Sequence, residues 1–465
     1  MTERHTVTRR VFAGAVATMV TAAMLTAGPV AAQDDPNADA ETMGAWAGLD
    51  KDLSGVTIRM ANIGGAPYEN MYASIPIFEE ATGAEVEIVF LGDGFEIDRY
   101  LKTNYAAGTE DYDVAWSHTS FMAQYTPFVE PLQNWFSEEE LAAYNPAILE
   151  AATINGDLQV IPRHSDISSM HYRLDLFEDP EHQAAFEEAY GYPLAVPTTI
   201  DQMTDMAEYF VDSGAVTYGT QWAGREEGLT GRFYELLFAN GGDYFDEDLM
   251  PIFDSEAGVM TAQWMQDLYA DGLVPSDLTN YLWPEVAQNF CNGDVAFFLE
   301  WPGWYSFFQD PESCPAIAGS FGLARGPQGA AMEKHTGWAG SHAMSIAAAS
   351  ENKEAAAQLV KFLTSERAQY DEAKLGLLPA RADAFERIKA DAAESDVALD
   401  AERLALHELM LNEDFTPVPP TPDWISFSNV WYPTLQGIIL GDLSAEEGVA
   451  KGVEDTLELW ESLGY

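Results

Sequence analysis

Apolar and polar positions along this chain follow two rhythms that take turns. "GVTIRMANIGG" alternates and then runs apolar before ending in glycines, the pattern of a strand. "NMYASIPIFEEATG" instead places Met71, Ile75 and Phe78 at helical spacing and stops at Gly83. "AEVEIVFLG" predicts a strand, "EIDRYLKTNYAAG" a helix and "YDVAWSH" another strand. Further on, "DLQVIPRHS" and "ISSMHYRLDLF" read as strands, and "TIDQMTDMAEYFVDSG" as a helix capped by Thr199. "GRFYELLFANGG" and "SEAGVMTAQWMQDLYADG" are helices ending in glycine, and "DVAFFLEWPGW" is a strand running into a turn. "ENKEAAAQLVKFLTSERAQ" predicts one amphipathic helix with Ser350 as its cap. The Pro-rich "FTPVPPTPDW" is expected to be a connector, since Pro419 and Pro420 suit neither a helix interior nor a central strand. No internal repeat is visible. Strand–helix alternation of this kind predicts an α/β fold with a parallel sheet covered by helices.

At 465 residues, 47% of them hydrophobic, the chain is too long for one comfortable core, so two domains are expected. Charge narrows the partners. Lys and Arg number 22 against 76 Asp and Glu, a formal charge of -54, which repels phosphate backbones and anionic lipid headgroups. The N-terminus carries Arg4, Arg9 and Arg10, an apolar stretch from Val11 to Ala27, and small residues at Val30-Ala31-Ala32. That is the layout of a signal peptide cleaved after Ala32. Its paired arginines resemble a twin-arginine export signal, although Ala13-Gly14 departs from the usual pattern and leaves the general secretory route open. No cysteine lies near the cleavage site, so a lipid-modified N-terminus is not expected. The two cysteines, Cys291 and Cys314, are expected to pair as a disulfide in an exported protein rather than to bind zinc.

Unusual residues gather at the predicted strand ends, in "NIGGAPY", "WSHTS", "PRHSD", "QWAGRE", "EWPGWY" and "GWAGSH". Tryptophan occurs in four of these six loops, beside Gly, Pro, Ser or acidic residues. The segment "IPRHSDISSMHYR" holds every residue type of a hydrolytic triad. On a strand, however, His164 and Asp166 share one face while Arg163 and Ser165 take the other, so a local triad is geometrically poor. No G-x-S-x-G elbow accompanies any serine. Asp166 and Glu300 make an imaginable glycosidase pair, but a chain this acidic supplies such pairs by chance. Asp243, Asp246 and Asp248 lack calcium-loop spacing, and neither H-E-x-x-H nor a cysteine cluster occurs; no metal and no cofactor are expected. A binding role remains. Indole faces stack on apolar faces of a sugar while Asp, Glu, Arg and His take its hydroxyls.

The ordered set "FEEATGAEVEI", "YDVAWSHTSFMAQY", "GDLQVIPRHSDISSMHYRLDLF", "GDVAFFLEWPGWYSF", "SIAAASENKEAAAQLVKFLTSERAQ", "LGLLPAR" and "LSAEEGVAKGVEDTLE" resembles the family-1 solute-binding proteins of ABC importers, the group that includes maltose-binding proteins. The resemblance implies two α/β lobes joined by hinge strands, with ligand held in the cleft between them. The N-terminal pattern gives a signal peptide over 1–32 and a flexible acidic leader over 33–50, and the resemblance implies one lobe from 51–164 and 342–405 and the other from 165–341 and 406–465. Carried onto matching positions, it gives cleft roles to Trp116, His118 and Thr119, to the hinge carboxylate Asp166, to Trp304 with Trp301 as its near alternative, and to Trp424. Tyr68 stands in a first loop that is small and aromatic here. Trp338 and Arg163 are added from their loop positions and chemistry. The implied function is capture of a sugar, a di- or oligosaccharide or a related polyol, by a periplasmic monomer. Lobe closure then presents the ligand to a membrane permease, with no bond made or broken. A carrier for an amine or organic acid, or an exported carbohydrate-active hydrolase, would share many of these features.

Overall fold

The computed structural model describes residues 52–65, 68–109, 111–329, 335–419 and 421–464. The expected signal peptide (1–32) and the whole of the expected leader (33–50) lie outside them. Among these residues no helix is long and apolar enough to cross a membrane.

The chain opens as the alternation predicts. Strand β1 (Thr57–Ile63) leads to helix α1 (Glu69–Thr82), β2 (Glu85–Gly92), α2 (Gly94–Ala107) and β3 (Val114–His118). Helix α1 stops where Gly83 takes the left-handed conformation, and α2 starts with a reciprocal cap between Asp93 and Glu96. The three strands are mutually parallel, with β1 in the middle. Next to them the expectation of a parallel sheet fails. Strand β4 (Ile161–Ile167) is buried along its whole length and is followed, after the single residue Ser168, by β5 (Ser169–Arg173). After helices α3 (Ile200–Asp212), α4 (Glu226–Ala239), α5 (Glu256–Ala270) and α6 (Trp283–Cys291) come β6 (Phe297–Glu300), β7 (Phe321–Ala324) and the long β8 (Gly337–Ile346).

Strand β8 runs antiparallel to both β3 and β4, and β5 runs antiparallel to β6 and β7. The reason is the route of the chain. It leaves the first sheet through β4 and β5 and returns through β7 and β8, so the outgoing and returning strands must oppose each other.

Helices α7 (Lys353–Leu363) and α8 (Glu366–Ala373) replace the single helix expected there. Thr364 ends the first, and Ser365 caps the second by accepting from the Ala368 N–H. Ser350 is not the cap; its hydroxyl is bonded to Asp113 and accepts from Asn352 N–H ahead of the helix. Strand β9 (Leu378–Pro379), helix α9 (Ala398–Glu413), β10 (Phe415–Pro417), α10 (Trp424–Ile439) and α11 (Ala445–Leu463) complete the chain. Part of the Pro-rich connector is thus a strand, β10, which pairs with β8.

Seven strands form the first sheet, in the order β9-β4-β8-β3-β1-β2 with β10 alongside β8, and three form the second, β6-β5-β7. These are the cores of two α/β lobes. The chain passes between the sheets at Ser168, between β7 and β8, and between β10 and α10. The expected passages at 164/165, 341/342 and 405/406 lie close to the first two and well before the third. Cys291 and Cys314 form a disulfide within the second lobe's core.

Candidate functional site

Strand register brings three histidines from distant parts of the sequence into one row. His342 on β8 lies opposite His118 of β3 on one side and His164 of β4 on the other. The His342 and His164 rings stack 4.5 Å apart, and the His118 ring meets His342 edge-on at 5.1 Å. Two residues along the same face, Asp166 of β4 lies opposite Gly340 of β8. A side chain at 340 would stand 2.5 Å from the His118 ring, so the glycine leaves the space through which His118 approaches the carboxylate. Asp166 is consequently ringed by imidazoles: His342 Nε2 at 3.4 Å, His164 Nδ1 at 3.7 Å and His118 Nε2 at 4.0 Å.

Neighbouring donors set the protons on two of these rings. The indole N–H of Trp116, which can only donate, points at His342 Nδ1 from 3.0 Å, and the Tyr68 hydroxyl lies 3.2 Å from the same atom. The backbone N–H of Ser120 points at His118 Nδ1 from 3.1 Å. Both Nδ1 atoms therefore accept, and each neutral ring carries its proton on Nε2, the nitrogen facing Asp166. Burial holds the rings neutral, pushing His118 down to about 4 and His164 and His342 well below the usual histidine range. Burial likewise raises the Asp166 carboxyl, against the pull of His342 and His118.

His118, Asp166 and His342 each aim one ligand-type atom at a common point, all within 4.8 Å. The surrounding hydrogen bonds do not suit a metal ion bound through these rings. A neutral histidine that binds metal through Nε2 carries its proton on Nδ1 and donates it to an acceptor. Here both Nδ1 atoms face donors, so the cluster is built to present N–H groups.

Arg163 departs from simple strand alternation. The β4–β8 register slips between His342 and Ala343, which pair with His164 and Pro162, and Arg163 is the extra residue of that bulge. Its guanidinium lies 5.1 Å from the centre of the Tyr68 ring, while its Nε is held by the Glu372 carboxylate at 2.7 and 3.0 Å. Thr119 serves as a brace, its hydroxyl accepting from Ser341 N–H at 3.0 Å.

The facing wall comes from the second lobe and from α4, where buried polar side chains are unusually dense. Arg232 is paired with Glu235 one turn on, and also donates to the Ser168 hydroxyl and the Leu299 carbonyl. Glu235 accepts from the backbone N–H of Trp338, whose indole meets Trp301 edge-on at 4.7 Å. A Cβ at Gly231 would overlap the Trp338 ring, so α4 can lie against β8 only with glycine there. Glu300 accepts from Trp301 N–H; burial raises its carboxyl to about 8, Arg232 opposes this, and Glu235 and Asp166 add to it. Glu227 accepts from the Trp424 indole at 3.1 Å and is bonded to Ser120, which follows β3; burial raises it to about 7. Phe95 at the start of α2 stacks on Trp283 at the start of α6, 6.0 Å apart and nearly parallel.

Of the residues singled out from sequence, Tyr68, Trp116, His118 and Asp166 meet in one cluster, with Arg163 at its edge. Trp301 of the second lobe meets Trp338 of β8, where the two walls join. Trp424 is buried in a core of Tyr234, Tyr244 and Phe427, reaching the site only through Glu227. Trp304 packs on Phe307 and Phe308, with no contact to the histidine row. His342, Glu227, Arg232 and Glu235 were not singled out. The loop "GWAGSH" holds His342 four residues after Trp338, a polar group beside small residues at a predicted strand end.

Two α/β lobes joined by crossing strands, with a buried polar and aromatic seam between them, define a two-lobed ligand-binding protein. The profile of the family described as "Bacterial extracellular solute-binding protein" matches residues 61–370, and the chain belongs to that family. A probable amino-acid ABC transporter periplasmic-binding protein of Sinorhizobium fredii is 26% identical over 348 residues, covering 73% of this chain and 76% of the relative. Maltose-bound MalE3 of T. maritima superposes with a TM-score of 0.74 at 26% identity, over 87% of this chain and all (100%) of that one. An ABC transporter solute-binding protein of Agrobacterium radiobacter, solved with ribitol, also gives 0.74, at 18% identity, over 88% and 100% of the two chains. At that identity the likeness speaks for the fold.

Proposed function

We propose that this chain is the solute-binding component of an ABC importer and that it captures a sugar or polyol between its lobes. One observation carries the reading. A row of imidazole N–H groups around Asp166 on the first lobe faces carboxylates and indoles on the second. Such a seam offers donors, acceptors and flat apolar faces together, which is what a polyhydroxylated ring or chain requires. Relatives named for ABC transport, and neighbours solved with maltose and ribitol, support the same class.

Each neutral hydrogen bond contributes only about 0.5–1.5 kcal/mol, so useful affinity needs many at once. Only closure supplies contacts from both lobes, so ligand shifts the population toward the closed form. A membrane permease would then read that form. The protein acts as an exported, periplasmic monomer whose signal peptide is removed, and it binds without chemistry. The sheet crossings support a first lobe of 52–167 with 337–417 and a second of 168–336 with 418–464.

A thermal-shift screen of sugars and polyols, followed by calorimetry on the hits, tests this reading. Stabilisation by at least one of them, lost in Asp166→Ala, is the expected result. No stabilisation by any, together with stabilisation by organic acids, would sink the reading.

A further inference from the structure

We propose that the solute carries a protonated amine, as an amino sugar or amino polyol does, and that Asp166, Glu227 and Glu300 are the groups that receive it. This rests on the sugar-and-polyol reading above and narrows its substrate class.

The geometry begins with three carboxylates set along one buried seam. Asp166 and Glu227 are each 6% exposed and Glu300 only 1%. They are linked in space: Ser120 is bonded to His118, His118 faces Asp166, and Glu300 lies opposite Ser169, three residues beyond Asp166 along the same crossing; the Ser120 side chain also lowers the Glu227 carboxyl against its burial. Among the described residues, no Lys or Arg forms an ion pair with any of the three. Of the two arginines nearby, Arg232 is paired with Glu235, and Arg163 is held through Nε by Glu372 while its two terminal nitrogens are buried without a hydrogen-bond partner.

A second observation points into the same seam. His164 is 2% exposed, neither ring nitrogen has a hydrogen-bond partner, and its Nδ1 is 3.7 Å from Asp166. Buried charges are ordinarily paired, because an uncompensated carboxylate out of water is costly. A neutral hydroxyl donates a proton to a carboxylate and leaves the charge in place. An ammonium group donates up to three and cancels it. The Trp116 and Trp301 rings of the seam favour a cation over their faces as well, as the Tyr68 ring already does for Arg163. The raised Glu300 and Glu227 carboxyls fit the same picture, since a bound cation would drive both to release their protons.

Calorimetry at neutral pH on matched pairs tests the proposal: glucosamine against glucose, and fully deacetylated chitobiose against cellobiose, with putrescine as an amine without hydroxyls. The amino member of each pair is expected to bind about tenfold or more tightly. That preference should shrink in Glu300→Gln and, independently, in Glu227→Gln. Runs in buffers of different ionisation enthalpy should show proton release with the amine alone. Equal or tighter binding of the neutral sugars would overturn the amine proposal and leave the sugar reading standing. Binding of putrescine alone would keep the cation and remove the sugar. No binding by any of the five would count against both.

Discussion

The two walls of the seam solve the same problem, burying polar groups, by different means. On the first lobe the solution is register: β3, β8 and β4 stack His118, His342 and His164 side by side, and fixed N–H donors decide where their protons sit. On the facing wall it is charge: Arg232 is bound to Glu235 within one helix, and Glu300 stands beside them with a single backbone donor. A wall made by strand pairing is rigid, with neutral rings set around one carboxylate. A wall made by a helix face and a strand end is ionic, and it meets the first wall through Trp338 and Ser168. Breaking each in turn should therefore have different consequences.

The largest effect is expected on the ionic wall. Arg232→Ala leaves Glu235 buried without its partner and should cost about 3–5 kcal/mol of stability, read by chemical denaturation. A loss well under 1 kcal/mol would mean that the pair is not isolated from water. On the strand-paired wall, Asp166→Ala should leave the fold in place and lower ligand affinity by roughly 2–3 kcal/mol, read by calorimetry on whichever ligand the screen identifies. Wild-type affinity in this variant would remove Asp166 from the site.

The walls should also differ in pH response. His118 is held at about 4, below its unfolded value, so its contribution is complete above about 6.5 and is lost as pH falls from there through 4. Glu300 is held at about 8, above its unfolded value, so its contribution is complete below about 4.3 and is lost as pH rises from there through 8. Melting temperature followed against pH should lose part of its alkaline slope in Glu300→Gln and part of its acid slope in His118→Gln. Identical slopes in both variants and the parent would show that neither group couples to folding. The smallest effect separates two tryptophans: Trp301→Ala should weaken binding by about 1 kcal/mol and Trp304→Ala by much less. Equal losses would return Trp304 to the site.

Much of the fold was legible because helical and strand rhythms are local. β1 through β3 and the Thr199 cap lie where the pattern put them. The direction of β8 was not legible, since it depends on where the chain returns from the other lobe. The same limit applied to the site. Tyr68, Trp116, His118 and Asp166 could be found because they sit at strand ends among polar neighbours. His342 lies mid-strand and gains its place only through register with residues more than a hundred positions away. Trp424 shows the opposite error: a tryptophan beside prolines looks like a platform, yet its indole is core and only its N–H reaches a functional group. Chemical type at a loop says nothing about which way an indole turns.

Ser168 is the lone residue between β4 and β5. Its N–H is bonded to the Trp338 carbonyl, and its hydroxyl contacts both Arg232 and Glu235. A joint between rigid bodies is usually bare chain, free to swing. This one is tied to the charged pair beside the seam, so rotation of one lobe on the other pulls directly on that pair. A load placed there by ligand is transmitted as torque at the pivot. The angle between the lobes and the state of the pair then become two readings of one mechanical variable.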